Sequence, residues 1–454
     1  MNILRDNRRE FLQRTAAFGG MLATGAALGT KSLANESRRP RVAAIFTVLR
    51  FRSHAYNILE NFFRPYLFRG ELVDPGVEVV SMYADQFPAD DMARDVSRRF
   101  QVPLYDSIEA ALCGGGRELD VDAVLLIGEH GDYPYNRLGQ HLYPRKQFFD
   151  QIAAVVRRAN RPVPLFNDKH LSYRWDWAKE IYDTARELKM PLLAGSSVPL
   201  AERRPMLELP AAAEIEQAVS LHGGGLESYD FHAFEVLQSM IERRQGSETG
   251  ITRVELLTDD RLRAAQAESD WPHDLIAAAR QAEQQHDEPR QRRPSTGVFA
   301  APAKPESPNR KITATHAIRL TYRDGLRALV MKDGSSSDRW NFACRVRGER
   351  EPRACMFFNG PWSNRCLFKA LSHAIQHHFR TGQPPYPVER TLLASGVLDA
   401  AMHSHDEGGR AIDTPHLAFA YESRDFSAFR ENGASWRKLT RDTPQPADFS
   451  PGNG

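Results

Sequence analysis

Arg41-Val42-Ala43-Ala44-Ile45-Phe46-Thr47-Val48-Leu49-Arg50-Phe51-Arg52-Ser53-His54 is the stretch on which the fold turns. Val42–Val48 is a β-rich apolar run without polar alternation, the pattern of a strand buried on both faces. A helix-like stretch from His54 to Phe68 follows at once. Outward from this unit the alternation repeats. Strands over Val77–Tyr83, Val121–Ile127, Val163–Phe166 and Pro191–Ala194 are separated by helices over Asp90–Phe100, Ser107–Cys113, Arg145–Ala159 and Trp175–Leu188. Strands alternating with helices make βαβ units, so residues 41–198 are expected to form an α/β domain around a doubly wound parallel sheet.

The pattern changes after Ser196-Ser197-Val198-Pro199. A helix over His232–Arg243 and a strand over Ile251–Leu257 come first. Short strands over Ile318–Tyr322, Arg327–Lys332, Trp340–Arg345 and Ala354–Phe358 follow, punctuated by Asp324-Gly325 and Asp333-Gly334. Helices over Cys366–Phe379 and Thr391–Ser404 close an α+β domain over 199–430 with a mainly antiparallel sheet. Residues 281–311 are rich in Gln, Pro, Arg and Glu and read as a surface excursion, and 441–454 as a loose Pro-rich tail.

A chain of 454 residues has room for two such cores. A formal net charge of +2 lacks the basic stripe of a dedicated nucleic-acid binder. No apolar run beyond residue 35 is long enough to span a bilayer. The four cysteines, Cys113, Cys344, Cys355 and Cys366, show no metal-ligand spacing, and no metal site is expected; a disulfide and buried free thiols both stay open. Asn7-Arg8-Arg9-Glu10-Phe11-Leu12, an apolar stretch from Thr15 to Leu28, and Ser32-Leu33-Ala34 read as a twin-arginine signal peptide over 1–34. The expectation is export to the periplasm by the Tat machinery, often the route of proteins that load a cofactor first; an ordinary amphipathic helix is the alternative.

Ligands of doubly wound sheets bind at the carboxyl ends of the strands. Those ends carry Thr47 to His54, Asp85, Gly128 to Asp132, and Asn167 to His170. On these residues the chain resembles the Gfo/Idh/MocA oxidoreductase family. Its opening strand and turn are similar to 41–54, and further likeness lies in Arg99-Phe100-Gln101-Val102-Pro103-Leu104-Tyr105-Asp106-Ser107-Ile108-Glu109 and Asp120-Val121-Asp122-Ala123-Val124-Leu125-Leu126-Ile127. Phe166-Asn167-Asp168-Lys169-His170-Leu171 stands where the family has Glu-Lys-Pro, and Gly223-Gly224-Gly225 with His232 resembles its glycine-rich stretch and histidine. The segment from Phe379 to Glu389 is similar to the family's closing segment. The likeness covers most of 41–425 and implies a Rossmann-like first domain, NAD or NADP as cofactor, and hydride transfer on a sugar, polyol or similar carbohydrate. It implies Lys169 and His232 as catalytic residues and Thr47, Asp85, Gly128, Glu129 and His130 as cofactor-binding ones. Asp168, His170 and Asp230 are expected to bind substrate, and copies to pair through the second-domain sheet.

The chain departs from that pattern at the first turn. The three glycines of the dinucleotide fingerprint fall on Phe46, Val48 and Phe51, whose side chains fill the space that phosphates need. Arg50 and Arg52 are either anion partners or solvated charges. The acid expected four residues before His232 is Ser228, with Glu227 and Asp230 nearby, and the proline after Lys169 is His170. Two other readings therefore stand beside the oxidoreductase. One is a redox-inactive lyase or hydrolase using Lys169, His232 and His130. The other is a carbohydrate-binding protein that uses the aromatic set Tyr133, Tyr135, Tyr143, Tyr173, Trp175 and Trp177 to stack on sugar rings.

Overall fold

The computed structural model describes residues 38–291 and 315–446. The expected signal peptide, most of the 281–311 excursion and the last eight residues of the tail lie outside them. In the first sheet, β1 (Arg41–Phe46) pairs in parallel with β4 (Glu78–Ala84) on one side and β6 (Ala123–Ile127) on the other. β5 (Leu104–Tyr105), β7 (Leu165–Asp168) and β8 (Leu192–Gly195) complete the order β5-β4-β1-β6-β7-β8, parallel throughout. β1 and β6 are buried on both faces, as their unbroken apolar sequence requires. Helices α1 (His54–Phe63), α2 (Ala93–Phe100), α3 (Ile108–Leu112), α4 (Arg145–Ala159) and α5 (Trp175–Glu187) flank the sheet.

α1 stops at Phe63 rather than Phe68, because Pro65 drives the residue before it out of the helical region: Arg64 is extended at φ −148°. The five residues beyond Arg64 enter a small hairpin, β2 (Tyr66–Phe68) and β3 (Glu71–Val73), around Arg69-Gly70.

The second sheet has eight strands: β9 (Glu202–Arg204), β10 (Ile215–His222), β11 (Ile251–Leu257), β12 (Ala317–Tyr322), β13 (Arg327–Lys332), β14 (Trp340–Val346), β15 (Arg353–Phe358) and β16 (Ile412–Asp413). Their order is β16-β11-β12-β13-β10-β14-β15-β9. All pairs are antiparallel except β10 with β13, so the sheet is mainly antiparallel but mixed. β10, its central strand, carries no turn signal at its start and escapes the sequence reading. One face is covered by α6 (Ser228–Ile241) and α10 (Glu389–Asp406), the other by α8 (His273–His286), with α7 (Asp259–Gln266) leading into it. α8 corrects the start of the expected excursion: residues 281–286 are its last turns, held by Leu275, Ile276 and Ala279 on the sheet.

Helix α9 (Asn364–Thr381) follows the second sheet in sequence but packs on the first. Its Phe368, Leu371, Ile375 and Phe379 join Leu59 and Phe62 of α1 in one core. Each such side chain contributes about 1.5–3 kcal/mol on burial. The contact runs parallel, from His54 against Phe368 to Phe62 against Phe379, so the first turns of the two helices lie side by side. Residues 441–446, expected to be loose, are tied to that first turn, with Trp362 Nε1 donating to Thr443 O and Arg365 Nη1 to Pro446 O. The four cysteines are buried free thiols, which settles the alternative left by their spacing.

Candidate active site

The strand ends of the first sheet bring their polar residues together beneath α6. Gly128 directly follows β6, and a Cβ there would stand 2.7 Å from Arg145 Cγ. The missing side chain lets Arg145, buried at the start of α4, reach the Glu129 carboxylate. Lys169, just past β7, donates to the other oxygen of Glu129 at 2.9 Å. Burial opposes the charge on Glu129, but the Lys169 ammonium and the Arg145 guanidinium outweigh it and hold the carboxyl well below its usual range. Lys169 and His130 both have positive φ, 63° and 72°, which non-glycine residues seldom adopt.

Around this pair stand three imidazoles. His170 Nε2 lies 3.5 Å from Arg145 Nη1. His130 accepts a long contact of 3.4 Å from the His54 backbone N–H through Nδ1, placing its own proton on Nε2. His232 comes from α6, with Nδ1 2.5 Å from Ser196 Oγ, which itself accepts from the Val198 N–H at 3.1 Å. Burial, reinforced by neighbouring cations, pushes all three well below the ordinary imidazole value and keeps them neutral. Asp168 is paired with His54 Nδ1 at 2.6 Å. Glu227, at the N-terminus of α6, is pushed up to about 8 by burial against the pull of Arg145 and Lys169. The arrangement thus offers an ammonium donor, Lys169, beside neutral bases. That combination can take a proton from a ligand while stabilising charge that develops on its oxygen.

The expected catalytic pair, Lys169 and His232, shares this cluster with Glu129, His130, Asp168 and His170. Other expectations need correction. Asp230 does not face the cluster: it is fully buried, its Oδ1 taken by His222 and His316 and its Oδ2 by the Glu227 N–H. Its place on α6 puts it on a different face from His232, two residues on. Thr47 is fully buried and donates its hydroxyl to Glu129 O, so it braces the loop rather than meeting a cofactor. Gly128 makes room for Arg145 rather than for phosphates. Asp85 is exposed, and its carboxylate accepts from Tyr83 and Tyr133 at 2.9 and 2.6 Å. Of the aromatic set, Trp175 is spent on packing against Gly396 and Phe419. Arg145, Ser196, His222 and His316 escaped the sequence reading: none is adjacent in sequence to the residues it serves.

The turn between β1 and α1 does not fit the dinucleotide that the resemblance implies. Phe46 points into the core, and Val48 and Leu49 are fully buried. Arg52 crosses over to Trp362 O and Asn364 Oδ1, both at 2.7 Å, closing the turn against the first turn of α9. The Ser53 side chain and the His130 ring take N–H groups at the start of α1, where a pyrophosphate would dock.

No protein-family model matches the chain, and no curated protein matches it in sequence. Solved structures match it in shape. GenD2 from gentamicin A biosynthesis, in complex with NAD, is 11% identical, with 87% of this chain and 99% of that one covered at a TM-score of 0.50. An oxidoreductase from Agrobacterium radiobacter, in complex with NAD+, L-tartaric acid and magnesium, is 12% identical over 84% of this chain and 99% of that one, also at 0.50. The parallel sheet, the second mixed sheet and these neighbours agree: the chain has the fold of the Gfo/Idh/MocA-type oxidoreductases.

Proposed function

We propose that the protein is an enzyme of this oxidoreductase fold that performs acid–base chemistry on a hydroxyl-bearing, carbohydrate-like substrate, without a nicotinamide seated at the β1–α1 turn. The observation that carries the reading is the Lys169–Glu129 pair with neutral His130, His170 and His232 around it, at the strand ends where this fold class binds ligands. The neutral imidazole of His232, whose Nε2 is free while Nδ1 is engaged with Ser196, takes the proton. The Lys169 ammonium holds the oxygen on which charge grows, and Glu129 with Arg145 fixes the position of that ammonium. Elimination and hydrolysis both use this set. The twin-arginine reading of residues 1–34 places the activity outside the cytoplasm, as part of the same proposal.

The test is ¹H NMR of the wild-type protein with hexoses, polyols and sugar acids, with no nicotinamide added. Conversion that disappears in Lys169→Ala supports the reading. Conversion only after NAD or NADP is supplied overturns it in favour of hydride transfer, the reading favoured by the NAD-bound neighbours. Saturable binding without conversion in either condition overturns it in favour of a sugar-binding protein.

A further inference from the structure

We propose that His222, Asp230 and His316 bind one divalent transition-metal ion, with zinc the first choice for two imidazoles and a carboxylate. The three side chains come from separate elements at one end of the second sheet. His222 is the last residue of β10, His316 directly precedes β12, and Asp230 lies in the first turn of α6 above them. β12 and β10 flank β13, and the Lys332 N–H bonds to His316 O while His222 stands in register with Lys332. The two imidazoles therefore rise from one face of the sheet, with Lys332 between them engaged in contacts of its own.

His222 Nε2 and His316 Nε2 lie 3.0 and 2.9 Å from the same oxygen, Asp230 Oδ1. One ligand atom from each residue falls within 4.8 Å of the others, and all three side chains are wholly buried. Donors on a tetrahedral ion with bonds of about 2.0–2.1 Å stand roughly 3.3 Å apart, so small outward shifts admit the ion. The Glu227 N–H holds Asp230 Oδ2 at 2.8 Å, which orients the carboxylate as the outer shell of a metal site does. Neither Nδ1 has a hydrogen-bond partner. No donor therefore blocks either ring from carrying its proton on Nδ1, the tautomer that a ligating Nε2 needs. A cation at this focus balances a buried carboxylate and pins the first turn of α6, the helix that carries His232.

The experiment uses tag-free full-length protein, stripped with dipicolinate and then titrated with Zn²⁺ or Co²⁺. One ion per chain by elemental analysis, visible Co²⁺ ligand-field bands of tetrahedral intensity, and a higher unfolding temperature with Zn²⁺ are expected. His316→Gln and Asp230→Asn are expected to lose all three responses. His316→Gln leaves the Asp230 cap of α6 in place, so its loss of metal cannot be ascribed to an uncapped helix. Substoichiometric uptake by the wild type, or undiminished uptake by both variants, overturns the proposal and leaves a hydrogen-bonded triad.

Discussion

Lys169 concentrates the chemistry of the site in one strained residue. Its φ of 63° costs energy that an ordinary loop residue avoids, and strain of this kind gathers where position matters more than stability. Lys169→Ala removes the ammonium but leaves Glu129 paired with Arg145, so the fold is expected to survive. Turnover is expected to fall by roughly a hundred- to ten-thousand-fold, the span of a lost acid–base group; steady-state rates beside a thermal melt check both halves. The imidazoles set the pH response. His232 lies well below the ordinary value of 6.5, so its neutral, proton-accepting form persists into acid. The pH–rate profile is therefore expected to lack an acid limb near 6.5, and a rate that halves there would show that His232 is not the base. The resemblance places Lys169 and His232 at the site, and the fold brings both to the strand-end cluster. Asp230 was misassigned because sequence spacing alone does not say which face of a helix turns to which neighbour.

At the scale of elements, α6 and α10 are locked by a buried ion pair. Arg390 donates to both oxygens of Glu242, both residues are almost wholly buried, and Tyr421 donates to the same carboxylate at 2.9 Å. Arg390→Met strands that carboxylate in the core and is expected to cost about 3–5 kcal/mol in urea unfolding. The N-terminus of α6 makes a second, pH-dependent contribution. The fold raises Glu227 from 4.5 to about 8, mainly by burial, so the folded state binds more protons than the unfolded chain between those values. This group's contribution is fully present below pH 4.5 and is lost as pH rises through about 8. Glu227→Gln keeps an acceptor for the helix cap and is expected to raise the melting temperature at pH 8 but not at pH 4.5. A variant whose melting curve tracks the wild type at both values would refute that assignment. Five of the six strands of the first sheet were readable, because buried parallel strands announce themselves as apolar runs; the two-residue β5 was too short to show one. β10 was not readable, since the polar Glu216-Gln217 follow its first residue, and the end of α1 was missed because Pro65 was not weighed.

At the scale of the molecule, the thiols sit at three depths. Cys113 belongs to the first-sheet core, Cys344 and Cys355 to the second-sheet core, and Cys366 to a small cluster with Trp362 and Leu439 at the docked tail. An alkylating reagent read by mass spectrometry is expected to modify Cys366 first, because only that thin cluster must fray to admit it. Cys113 and the Cys344–Cys355 pair are expected to follow together, since α9 follows the second sheet in sequence yet packs in the first core. Labelling of Cys113 well ahead of the other two would show that the first sheet opens alone. The sealed thiols have one more consequence. No sulfur–sulfur bond is needed to complete either core, so folding calls for neither an oxidant nor a disulfide isomerase.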